Sequence, residues 1–148
     1  MPTSHIASSE RLVLRTNLAE IERVAAWVDN TARQAGLGSG TVFAMQLCLE
    51  EAIANVVMYS EASEEMPISV ELALGRDGAT AVIEDRGRPF DPTTLPPRVK
   101  PTSLDETRVG ELGVHLIRHY SRAMRYERRD GRNRLTLAFD LAPSGVQK

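Results

Sequence analysis

The order of hydrophobic periods along these 148 residues predicts an α+β fold, a two-layer sandwich with a mixed, largely antiparallel sheet and helices on one face. Three observations carry this reading. Runs that alternate apolar and polar residues lie beside one another in sequence, which favours hairpins over parallel crossovers. Two apolar stripes at helical spacing follow the first such run, and a third precedes the last pair. The order βααββ, a long loop, then αββ leaves the helices to cover one sheet face.

Residues 11–16 (RLVLRT) read as a short strand, and Asn17 is placed to cap a helix in which Leu18, Ile21, Val24, Ala25 and Val28 recur at helical spacing. Gly36 and Gly38 end that helix, and Ser39 or Thr41 opens the next. There Val42, Met45, Leu49, Ile53 and Val56 make one stripe, while Ala44, Cys48, Glu51, Asn55 and Tyr59 make a second line of small and polar groups. Ile68, Val70, Leu72 and Leu74 alternate with polar or small residues. After a turn at Arg76, Asp77 and Gly78 the chain resumes as TAVIED. Four prolines, Pro92, Pro96, Pro97 and Pro101, rule out regular structure over 91–108, which reads as a long surface loop. A helix over about 110–120 and a hairpin turning at Asp130-Gly131 complete the chain.

Composition narrows the function classes. Eighteen basic residues against twenty acidic ones give a net charge of −2, which speaks against a protein that reads nucleic acid through its phosphates. The basic run at 125–134 is interrupted by Glu127 and Asp130 and suits a solvated hairpin. The single cysteine, Cys48, forms no internal disulfide, so a cytoplasmic setting is expected. The opening MPTSHIASSERLVL lacks a signal pattern, and no 18 apolar residues run together, so no membrane partner is expected. His115 and His119 stand four apart, as a metal pair would, but no third ligand is placed with them; Trp27 reads as packing or interface surface.

Three stretches carry chemistry. Asp85 shares strand parity with Ala81 and Ile83, so it is a carboxylate on the inward face and requires a hydrogen-bond donor. That donor is either the turn at Gly87 or an amine-bearing ligand, with Gly87 allowing a close approach and Pro89 stiffening it. Glu51 and Asn55 project together from one helix face, as a functional pair or as plain surface. Gly110 and Gly113 stand at a helix start, where free N–H groups suit phosphates. P-loop, Rossmann and eukaryotic kinase motifs are missing from the sequence.

Taken together, E-x-x-x-N at 51–55, D-x-G-x-P-F-D at 85–91 and G-x-x-G-V-x-L-I at 110–117 resemble the ATP-binding domain shared by gyrase, Hsp90, histidine kinases and MutL, the Bergerat fold. EEAIANVVMYS, EDRGRPFDP, GELGVHLIRHY and YERRDGRNRLTL are similar to segments of bacterial anti-sigma factor serine kinases of the RsbW and SpoIIAB type. The resemblance implies one histidine kinase-like ATP-binding domain over 1–148, with an ATP lid at about 91–108. It implies that Asp85 accepts from the adenine amino group, that Gly87 leaves space for the base, that Asn55 is the Mg²⁺ ligand and that Glu51 is the general base. Gly110 and Gly113 would bring N–H groups to the phosphates, and Arg108 would reach a γ-phosphate once the lid closes. Asn133 would lie on the adenine side, a turn-capping role being the alternative.

The implied activity is an ATP- and Mg²⁺-dependent serine/threonine protein kinase. It would phosphorylate a STAS-domain anti-anti-sigma protein and sequester a sigma factor, with a homodimer as a common family state. A binding module that exchanges partners without useful turnover is the alternative. A further one is a structural homologue with an empty pocket. The chain departs from the family at Glu111, where a second glycine is usual, and at Tyr59, where some members have His.

Overall fold

Alternation of apolar side chains along strands gives the sheet one dry face, and that face sets where the helices lie. The structure, a computed structural model, describes residues 6–75, 78–94 and 109–140. Strands β1 (Ile6–Arg15), β2 (Pro67–Gly75), β3 (Ala79–Asp85), β4 (Ala123–Arg129) and β5 (Arg132–Phe139) form one sheet in the order β1-β2-β3-β5-β4. All four pairings are antiparallel, so the largely antiparallel sheet expected from the sequence is realised without a parallel pair. Helices α1 (Ile21–Gln34), α2 (Ser39–Tyr59) and α3 (Val109–Tyr120) complete the described structure, with 3-10 turns at Leu18–Glu20 and Pro92–Thr94.

The core lies between this sheet face and the helices. Ile68, Val70, Leu72 and Leu74 of β2, Ala81 and Ile83 of β3 and Leu137 of β5 are buried against Met45, Leu49 and Ile53 of α2, Val24 and Val28 of α1 and Ile117 of α3. Among the described residues α2 is the one helix long and apolar enough to cross a bilayer by length and composition, yet it sits between α1 and α3 with its apolar stripe buried. Trp27 packs against the same core from α1.

Several boundaries differ from the sequence reading, each for a local reason. β1 begins at Ile6 rather than 11, because its N-terminal half finds partners along β2 up to Gly75. Asn17 caps the 3-10 turn, its Oδ1 accepting from Ala19 N at 2.7 Å, and Leu18 within that turn is 52% exposed rather than on the buried stripe. At the far end of α1, Gly36 takes φ +86° while its N–H and that of Leu37 bond to the Arg33 and Ala32 carbonyls, a Schellman close. Ser39 opens α2, as the sequence offered; Gly38 is its N-cap, and no side chain caps it. Asp130 and Gly131 both take positive φ, as a two-residue type I′ hairpin demands. Residues 76–77 of the other predicted turn lie outside the described residues.

Leu72 is fully buried on β2, with strands on both sides. Leu72→Ala is expected to lower the unfolding free energy by roughly 2–5 kcal/mol, read from the midpoint of a urea titration.

Candidate functional site

The inward parity of β3 ends on Asp85, which is 4% exposed. Such a carboxylate needs donors, and two of this chain's groups supply them. Gly87 N–H donates to Asp85 Oδ1 at 2.8 Å, and Asn133 Nδ2 donates to the same oxygen at 3.0 Å from the directly opposed position on β5. Both bonds go to Oδ1, so Oδ2 receives neither. Burial pushes the Asp85 carboxyl above the usual range; the Asn133 and Gly87 bonds and the nearby Arg128 charge oppose this.

The turn after Asp85 is held against the end of α2. A Cβ on Gly87 would meet the Ser60 carbonyl oxygen at 2.4 Å and the Ser60 Cβ at 2.5 Å. The missing side chain therefore lets the turn press on Ser60. Arg88 N–H donates to the Ser60 carbonyl at 2.7 Å, and Arg128 of β4 donates to the Gly87 carbonyl at 2.7 Å. Ser60, buried and bonded back to the Val56 carbonyl, ends α2.

Asp85 lines a cavity with Asn55, Ala52 and Val56 of α2, Phe90, Pro92, Tyr126 and Asn133. Asn55 is 2% exposed, and its Oδ1 and Nδ2 are both buried without a partner among the described residues. A buried amide in that state is costly unless something else completes it. Glu51 stands one turn earlier on α2, half-buried, and does not line this cavity. Burial, and then the adjacent Glu50 charge, push its carboxyl up. Burial and the Glu51 charge together push the Cys48 thiol up to about 12, leaving it inert.

The cavity holds only about 20 Å³. That is room for a water, which needs about 10–15 Å³, and not for a purine ring. Phe90 and Pro92 narrow it, and the Phe90 ring stacks on Tyr59 with centroids 5.2 Å apart. With the lining residues where they stand, a ring-sized ligand does not fit.

Asn133, 5% exposed, makes four hydrogen bonds. Its Nδ2 donates to Asp85 Oδ1 and to the Arg88 carbonyl at 2.8 Å. Its Oδ1 accepts from Phe90 N–H at 3.1 Å and from the Tyr126 hydroxyl at 2.5 Å. The amide is thus fully used by the protein while it lines the cavity beside Asp85. Tyr126, Arg128 and Ser60 escaped that reading. Register pairs Tyr126 with Leu135 and turns it inward, a placement visible only once β4 and β5 are aligned.

Gly110 and Gly113 are the second and fifth residues of α3; the Gly110 N–H belongs to the first turn, whose N–H groups lack helical acceptors, whereas the Gly113 N–H has the Val109 carbonyl one turn back. Arg108 and residues 95–108 of the expected lid lie outside the described residues. At the described end of that loop, Asp91 Oδ1 caps the Pro92–Thr94 turn through Thr93 N–H at 2.8 Å, and Arg118 of α3 donates to the Thr93 carbonyl at 2.6 Å. His115 and His119 are exposed, and no cluster able to hold a metal occurs among the described residues.

Comparison with known proteins places this geometry. Residues 14–139 match the family model of the histidine kinase-like ATPase domain. The serine/threonine-protein kinase BtrW of Bordetella bronchiseptica is 34% identical over 121 residues, which make up 79% of this chain and 83% of that protein. Among solved structures, the RsbU and RsbW domains of Rv1364c from Mycobacterium tuberculosis match with a TM-score of 0.68 at 16% identity, over 93% of this chain and 34% of that one. The histidine kinase domain of the blue-light activated histidine kinase EL346 from Erythrobacter litoralis matches with a TM-score of 0.52 at 14% identity, over 86% of this chain and 61% of that one. At such identities the structural likeness concerns the fold.

Because burial raises the Asp85 pKa in the folded chain, the folded state takes up that proton before the unfolded one does. The resulting stability is fully present below the ordinary carboxylate pKa and is lost as pH rises through the raised value. Asp85→Asn keeps an Oδ1 acceptor for Gly87 and Asn133 but carries no titrating charge. Its melting temperature relative to wild type is expected to climb between pH 4 and pH 8, as thermal scans across that range will measure.

Proposed function

Since the chain belongs to the histidine kinase-like ATPase domain family, we propose that it is an ATP-dependent serine/threonine protein kinase of the anti-sigma factor type. Its substrate is a serine of a STAS-domain partner, and it sequesters a sigma factor when that partner is phosphorylated. The observation that carries this reading is the buried Asn55 amide, unpartnered among the described residues and facing the same cavity as Asp85. The naming of the Bordetella bronchiseptica relative as a serine/threonine-protein kinase supports the reaction class.

The donor and acceptor chemistry of these residues would suit a magnesium nucleotide, although the cavity as it stands is too narrow for the base. Asn55 Oδ1 would be the oxygen for the cation, Asp85 Oδ2 would accept from the amino group of adenine, and the chain at Gly110 and Gly113 would supply N–H groups to the phosphates. ATP supplies the transferable phosphoryl group and Mg²⁺ neutralises its charge, so the chain's own task is alignment and proton transfer. Glu51 takes the proton from the attacking serine hydroxyl. Its raised pKa makes it a stronger base once ionised, and so better matched to neutral pH than an exposed glutamate. Arg108, at the end of the lid, completes the phosphate contacts in this reading, which places the protein in the cytoplasm and allows a homodimer.

The narrow cavity favours a second reading, a regulatory module that binds its partner with little or no nucleotide. A ligand that binds only the folded state raises its melting temperature, so wild type heated with millimolar Mg-ATP separates the two. A clear upward shift supports the kinase, and none supports the module.

With radiolabelled Mg-ATP and a STAS-domain protein, Glu51→Gln is expected to slow phosphoryl transfer by roughly 10²–10⁴-fold while nucleotide binding persists. The wild-type rate should rise with pH through the raised Glu51 pKa, and that limb should vanish in the variant. A Glu51→Gln protein as fast as wild type would remove the base assignment.

A further inference from the structure

Asn133 is a polar side chain buried at the centre of the site with no hydrogen-bonding capacity to spare. An amide offers two N–H donors and an oxygen with two lone pairs, and here all four are taken. Its orientation is forced by chemistry. Phe90 N–H can only donate, so it must face Oδ1, whereas Asp85 Oδ1 and the Arg88 carbonyl accept and must face Nδ2. One bond in this set is not imposed by backbone or by Asp85, the one from Tyr126, whose hydroxyl supplies the second donor to Oδ1 at 2.5 Å.

We propose that Tyr126 is a positioning residue for base selection, acting through Asn133: its hydroxyl locks the amide that pins Asp85 Oδ1 and leaves Oδ2 for the ligand. This rests on the nucleotide reading of the site. With Oδ1 committed to Gly87 and Asn133, the carboxylate presents a single acceptor in fixed orientation to a base that carries an amino group. A base with a carbonyl at that place meets an oxygen and is repelled. Without the hydroxyl, Asn133 keeps one donor on Oδ1 and gains freedom to rotate, and both the Asp85 orientation and the Phe90 seat loosen together. Arg128 holds the same turn from the Gly87 carbonyl independently, so the strand pairing does not depend on Tyr126.

The test compares Tyr126→Phe with wild type using ADP and GDP as probes in equilibrium binding with Mg²⁺, and amide hydrogen exchange at Phe90 without nucleotide. The expected result is an ADP affinity roughly tenfold weaker, the scale of one lost hydrogen bond, with GDP affinity unchanged, so that base discrimination narrows by the same factor. Phe90 N–H exchange should quicken while the melting temperature stays close to wild type. Unchanged discrimination with unchanged exchange overturns the proposal. So does an equal loss for ADP and GDP with a lowered melting temperature, which would make the hydroxyl structural. Wild type that binds neither nucleotide overturns the site reading itself, and this proposal with it, whereas wild type that prefers ADP isolates the test to Tyr126.

Discussion

A carboxylate brought inside a sheet must be met by donors held firmly enough to outlast thermal motion, and in this protein that requirement organises the whole end of β3. Asp85 takes one donor from its own turn and one from the opposite residue on β5. The first requires the tight course of the chain at Gly87, which in turn requires the end of α2 to lie against it without a Cβ between. The second requires the β3 and β5 register that sets Asp85 across from Asn133. Sheet pairing, helix termination and site geometry therefore converge on one buried group.

Two asparagines show how the same side chain serves opposite ends. Asn133 is closed on all sides by partners of this chain and acts as a fastening. Asn55, on the facing helix, is equally buried yet makes no hydrogen bond among the described residues. An amide left open in a dry environment is a standing cost to the fold, which a protein tolerates where a ligand will complete it. On the proposed reading the contrast separates scaffold from binding surface more sharply than burial alone, since both residues are almost wholly enclosed.

Much of this was legible in the sequence. The strand parity of Ala81, Ile83 and Asp85 placed the carboxylate inward, and the stripe from Val42 to Val56 placed α2 in the core. Local rules failed where a distant contact decides. At Gly87 nothing in the order of residues reveals Ser60 lying against it. The four hydrogen bonds of Asn133 are hidden in the sequence, because its partners sit at four other positions. Tyr126 drew no notice, since its importance follows from a register between strands rather than from any motif. Leu18 fits a helical stripe by spacing, yet a 3-10 turn before α1 rotates it to solvent.

The stacking of Phe90, which lines the cavity, on Tyr59 has a thermodynamic consequence of its own if the cavity is the nucleotide site proposed above. A chain whose receptive form is a minority shows an apparent dissociation constant equal to the intrinsic one divided by the receptive fraction. Any macromolecule that grips the displaced ring would then tighten nucleotide capture without touching the nucleotide. By linkage the nucleotide would tighten the grip of that macromolecule to the same degree.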